Sequence, residues 1–130
     1  MNLNMTLETF HTDAAPAAIG PYSQAVKVGG MLFCSGQIPL DPKTMEMVGS
    51  DAAAQCEQVM MNIKNLLEAA GGGLDNVART TIFLTSMSDF AAVNEVYAKH
   101  FGDHKPARAC VAVKELPKAA LVEIDCIAAL

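Results

Sequence analysis

Tryptophan is absent from this 130-residue chain, Phe and Tyr together make up only 5% of it, and there are just two arginines, Arg79 and Arg108. So few stacking side chains argue against a single-strand nucleic acid binder. Charge agrees, because the net value is −5 and the nine Lys and Arg residues are scattered instead of forming a basic stripe. The four cysteines (Cys34, Cys56, Cys110 and Cys126) form no C-x-x-C pair and read as reduced, mostly buried thiols. His100 and His104 have a spacing that can bind zinc on a helix, but Gly102 interrupts it and no cysteine pair lies nearby, so no metal site is expected. No Lys or Arg precedes Lys27, which leaves the N-terminal region without the charged start of a signal peptide. Uncharged runs such as Val28 to Leu40 are too short to span a bilayer and contain Gly and Pro. The expectation is a cytoplasmic chain with no nucleic acid and no membrane partner.

What is abundant is apolar surface. Hydrophobic residues make up 52% of the chain and charged ones 18%, against roughly 25% charged in an average globular protein. The length suits one domain over residues 1–130, which buries roughly two thirds of its unfolded surface. A domain this small cannot hide so much apolar area alone. Identical subunits in a closed ring would cover the excess, and an alanine-rich monomer is the alternative.

The pattern along the chain divides cleanly. Met5 to Phe10 reads as a first strand, followed by an irregular loop through Pro16, Gly20 and Pro21. Gln24 to Val28 and Met31 to Ser35 flank Gly29-Gly30 and read as a tight hairpin. Asp41-Pro42-Lys43-Thr44 is the next turn. From Asp51 to Ala70 apolar residues recur at three and four residue steps, which predicts a helix with Ser50 as N-cap and Gly71-Gly72-Gly73 as its end. Thr80 to Leu84 is a β-branched strand. A second helix is expected from near Ser88 to Gly102, and two final strands, Ala109 to Val113 and Leu121 to Ala128, are joined through Leu116-Pro117-Lys118. The order β-β-β-α-β-α-β-β implies an α+β fold with a mixed sheet of about six strands, hairpin pairs at either end, both helices on one face and the other face bare.

Arg108 is the residue most suggestive of chemistry. Its guanidinium stays charged, and its planar fork fits a carboxylate or phosphate with two parallel hydrogen bonds. Alternation puts Cys110 on the same side of the strand as Arg108, and Glu123 on the same side of the next strand as Asp125. A Glu within an apolar strand needs a partner or a wet cleft, so it reads as a proton-handling group, as half of a structural Arg108–Glu123 ion pair, or as part of an exposed strand face. Ser35 and Gly36 close the hairpin strand and could meet a ligand oxygen, Tyr22 could form an aromatic wall, and Asn94 lies near the Tyr97 side of the second helix. Each of these is also an ordinary loop or surface residue when taken alone. Cys110 lacks a nearby histidine to act as its base.

Three segments taken together resemble the RidA (YjgF) family of small trimeric enamine/imine deaminases. They are Ala18-Ile19-Gly20-Pro21-Tyr22-Ser23-Gln24-Ala25, Ser35-Gly36-Gln37-Ile38-Pro39, and Pro106-Ala107-Arg108-Ala109-Cys110-Val111 followed by Leu116-Pro117 and Val122-Glu123-Ile124. The resemblance runs from about Pro16 to Leu130. It implies a chorismate-mutase-like α+β fold, a homotrimer whose sheets form a central barrel, and clefts between subunits. It also implies that Arg108 clamps the substrate carboxylate, Glu123 holds or activates water, and Tyr22, Ser35, Gly36, Asn94 and Cys110 line the cleft. The implied substrates are 2-aminoacrylate, 2-aminocrotonate and their imine tautomers, hydrolysed to 2-oxo acids and ammonia without cofactor or metal. Met45 stands where members commonly carry glycine, and the stretch from Phe101 to Pro106 is short, so cleft shape is expected to differ. Two other readings stay open: a ribonuclease or translation inhibitor, and a non-catalytic trimer that binds small carboxylates or acts as a holdase.

Overall fold

The computed structural model describes residues 5–130. Strands β2 (Ala25–Val28) and β3 (Met31–Gln37) form the expected hairpin. Gly29 and Gly30 turn it with φ of 56° and 81°, the paired left-handed geometry that glycine adopts without steric cost. Strand β1 is shorter than expected, Glu8–Phe10, and pairs antiparallel with β2.

Helix α1 (Ala52–Ala69) buries the apolar stripe read from the sequence, with Cys56, Val59, Met60, Ile63, Leu66 and Leu67 all essentially inaccessible. Truncating one of them, as in Leu66→Ala, should cost about 2–5 kcal/mol through lost burial and the cavity left behind. Its N-cap is Asp51, not Ser50: the Asp51 carboxylate accepts from the Ala54 N–H at 2.8 Å. A carboxylate also complements the positive helix terminus, a cap worth about 1 kcal/mol. At the other end Gly72 N–H donates to Leu67 O and Gly71 N–H to Glu68 O, the paired bonds of a Schellman motif. Strand β4 (Val77–Leu84), helix α2 (Phe90–Phe101), β5 (Ala107–Ala112) and β6 (Val122–Ala129) complete the α+β arrangement in the predicted chain order. None of the helices among the described residues is long and apolar enough to cross a membrane.

The sheet order is β1-β2-β3-β6-β4-β5. The expected terminal hairpin of β5 with β6 does not form. Instead β5 pairs parallel with β4, while β6 inserts antiparallel between β3 and β4. Helix α2 is the crossover that returns the chain parallel to β4 on one edge, and β6 takes the other edge of β4, where it also reaches β3, instead of adding to the outer edge of β5. The gain is burial, because Val122, Ile124, Cys126 and Ala128 of β6 become core on the helix side.

Register assigns every side chain to a face. Thr80, Ile82 and Leu84 of β4 are buried toward the helices and pair with Cys126, Ile124 and Val122 of β6. Their counterparts on β5 are Arg108, Cys110 and Ala112. The other face carries Phe83, which is paired with Glu123 on one side and Val111 on the other. With Phe33 and Val111 each 45% exposed, this open face is bare, as expected from the sequence, and sets these apolar side chains among Thr81, Glu123 and Asp125.

Candidate active site

Arg108 and Glu123 lie on opposite faces of the sheet, because Arg108 pairs with inward Thr80 and Glu123 with outward Phe83. The structural Arg108–Glu123 ion pair allowed by the sequence is thereby excluded within one chain. Alternation along each strand fixes the neighbours on that strand. Only register fixes one strand's parity against another.

On the helix face, α2 builds a seat for the guanidinium. Phe90, Asn94 and Tyr97 recur at helical spacing, so all three project toward β5. The Arg108 guanidinium carbon lies 5.0 Å from the Tyr97 ring centre and 5.7 Å from that of Phe90, within cation–π range. One terminal nitrogen donates to Asn94 Oδ1 at 2.7 Å. Tyr97 is itself fixed, its hydroxyl 2.7 Å from buried Thr80 Oγ1 and its ring packed at a tilt against Phe101, with centroids 4.6 Å apart. Burial raises the Tyr97 pKa, only partly offset by the Thr80 hydrogen bond and the Arg108 charge. The phenol therefore stays neutral beside the cation. A groove of about 350 Å³ opens here, lined by Asn94, Tyr97, His104, Lys105 and Arg108 among others. Among the described residues no carboxylate pairs with Arg108.

Cys110 shares this face with Arg108, as alternation predicts, and packs against the hydrophobic core. Burial pushes its thiol pKa up, more than the Arg108 charge pulls it down. A protonated, half-buried thiol is a poor nucleophile.

On the open face the hairpin strand β3 carries a bulge. Cys34 pairs with Cys126 but Gln37 with Ile124, so three steps along β3 match two along β6. The bulge brings Ser35-Gly36 against Glu123. A Cβ on Gly36 would clash with Glu123 Oε2, so only glycine leaves room for the carboxylate where it stands. Ser35 Oγ donates to Ser23 O at 2.6 Å, which spends its proton and leaves the hydroxyl oxygen able only to accept. Glu123 is half-buried, and its pKa is raised above the ordinary carboxylate value first by desolvation and then by the Asp125 charge.

Around Glu123 lies a cleft of about 640 Å³, which Tyr22, Ser35 and Gly36 line together with Gln24, Ile38, Leu40, Met45 and Lys118. Gln24 braces one wall: its side chain accepts from Thr12 N–H at 2.7 Å and donates to the carbonyls of Thr12, Ala15 and Pro16. Tyr22 stays 54% exposed at the rim. The predicted residues thus fall into two groups, with Tyr22, Ser35, Gly36 and Glu123 in the cleft and Asn94, Arg108 and Cys110 on the helix face. Sequence reasoning missed the aromatic seat of Phe90 and Tyr97, whose apolar spacing reads as core, and it missed Lys118 on the cleft wall. His100 and His104 turn to separate partners, Glu57 Oε1 at 2.9 Å and Val77 O at 2.7 Å.

Residues 12–130 match the family described as Endoribonuclease L-PSP. A RutC family protein of Pyrococcus horikoshii is 54% identical over 121 residues, spanning 93% of this chain and 96% of that protein. Protein DfrA of Myxococcus xanthus is 57% identical over 126 residues, with 95% and 96% covered. Among solved structures, RidA from an Antarctic Psychrobacter superposes with a TM-score of 0.91 at 50% identity, covering 95% of this chain and 99% of that one. E. coli TdcF with bound serine gives 0.89 at 41% identity, covering 95% and 98%.

Proposed function

We propose that this chain, which belongs to the endoribonuclease L-PSP family, hydrolyses small 2-imino and 2-enamino acids to 2-oxo acids and ammonia at a site completed by a second copy of itself. The observation that carries this reading is the unpaired state of two opposite charges. Among the described residues, Arg108 is held by aromatic rings and Asn94 without a carboxylate, while Glu123 is half-buried without a cation. Both faces need a partner, and the bare apolar sheet face supports a homotrimer that brings one copy's Arg108 groove to another copy's Glu123 cleft. The relative TdcF binds serine, a small amino acid whose carboxylate is of the kind an arginine fork accepts.

In this reading the free part of the Arg108 fork takes the substrate carboxylate, and Asn94 keeps the guanidinium in plane. An enamine first tautomerises to the imine, whose carbon is already electrophilic, so catalysis requires orientation and proton transfer. Water adds its oxygen to the imine carbon and gives its proton to Glu123. The carboxylic acid so formed protonates the nitrogen of the tetrahedral adduct. Glu123, again ionised, takes the hydroxyl proton of the adduct and passes it to the same nitrogen. The C–N bond then breaks with both electrons leaving on ammonia, while the O–H electron pair forms the carbonyl of the 2-oxo acid. A carboxyl with a raised pKa suits both directions of this transfer. Tyr22, Ser35 and the Gly36 backbone line the pocket, and Cys110 supports the Arg108 strand through packing.

The purified protein should release ammonia and 2-oxo acid from 2-aminoacrylate generated in situ faster than buffer does, and Arg108→Lys should lose roughly 10- to 100-fold because a point charge cannot replace the fork. Equal rates with and without protein would end the deaminase reading. RNA cleavage that persists in Arg108→Ala would favour a ribonuclease instead, which the net charge of −5 disfavours.

A further inference from the structure

We propose that Met45 is a specificity-determining residue that makes the cleft favour 2-imino acids with an extended, unbranched apolar side chain over the three-carbon imine. The inference rests on the deaminase reading above. Met45 has a φ of 60°, a left-handed conformation that glycine enters freely and methionine enters at a cost. The loop holds it there from several sides. Met45 N–H donates to Asp41 O at 2.8 Å, and Asp41 Oδ1 accepts from the N–H groups of Lys43 at 2.7 Å and Thr44 at 3.2 Å. Asp41 N–H reaches Glu46 O at 2.9 Å, Val48 N–H reaches Pro39 O at 2.8 Å, and Asn62 of α1 donates to Leu40 O at 2.9 Å.

Glycine would satisfy this backbone at lower cost, so what methionine adds is its side chain. That side chain is half-buried in the cleft wall, which Ile38 and Leu40 also line. Strain retained in a braced loop at a binding wall points to use of the strained residue. An unbranched thioether with three rotatable bonds moulds itself to a flexible aliphatic chain. The three-carbon imine offers this wall one methyl group, whereas 2-iminohexanoate offers four carbons.

The test compares kcat/KM for 2-iminopropanoate and 2-iminohexanoate, generated in situ from alanine and norleucine by an amino-acid oxidase. Met45→Gly should lower the six-carbon to three-carbon ratio about ten-fold, on the scale of a lost apolar contact, and should raise Tm because the strain is relieved. Met45→Leu should keep most of the preference, and Met45→Gln should lose it. A ratio unmoved by Met45→Gly, or both substrates slowed equally, overturns the proposal. If the unaltered protein turns over neither imine, the deaminase reading falls separately. Calorimetric affinities for pyruvate and 2-oxohexanoate then decide the role of Met45: a ratio that Met45→Gly leaves unchanged overturns it, and one that Met45→Gly lowers sustains it.

Discussion

On the helix face Arg108 lies over Tyr97 with Asn94 holding one nitrogen, whereas on the open face Glu123 of β6 faces the β3 bulge at Gly36 with only the Asp125 charge acting on it. The first group is immobilised by neighbours that are themselves fixed, and it keeps its charge. The second has room because a side chain is missing beside it, and its charge is penalised. In the proposed deamination each face supplies one half of an acid/base and clamping pair by local packing, and neither half is chemically sufficient alone.

The sharpest way to break this comparison is to disable the halves in different chains. Arg108→Ala and Glu123→Gln should each be nearly inactive in deamination, yet their co-expression should restore about a quarter of the unaltered activity, the share of sites that receive both intact halves in a ring of mixed copies. No recovery would mean that the two halves never meet across copies. A smaller effect should follow from Gly36→Ala. The added methyl meets the movable end of Glu123 rather than backbone, so the fold should persist with little change in Tm while kcat falls roughly ten-fold as the carboxylate is displaced. A large drop in Tm would show that Gly36 serves the bulge and not the carboxylate.

The smallest effect concerns pH. The folded-state pKa of Glu123 lies above its unfolded value, so its contribution to stability is present at low pH and is lost as pH rises through the folded value. Glu123→Gln should therefore raise Tm modestly at pH 7, and the difference should vanish below about pH 4. A gap that widens on acidification would mean that a cation, such as Arg108 of a neighbouring copy, outweighs desolvation at Glu123.

Local features were legible from the sequence because their causes are local. Gly29-Gly30 announced a hairpin, three and four residue spacing announced α1, and alternation put Cys110 beside Arg108. The N-cap differed by one position because Ser50 and Asp51 are both competent, and geometry chose the carboxylate. Nonlocal facts were not legible. Nothing within β5 or β6 says that β6 will cross to the middle of the sheet, so the relative faces of Arg108 and Glu123 could not be read. Phe90 and Tyr97 were hidden for a different reason: a helix stripe that seats a cation has the same spacing as one that fills a core.

The central place of β6 also sets an order on synthesis. Strands β3 and β4 leave the ribosome before the one strand that joins them, so the nascent sheet exists as two separate pieces with open edges facing each other. Only when Val122–Ala129 emerges can those edges close. Until then the growing chain is most exposed to strand pairing with its neighbours on a crowded polysome.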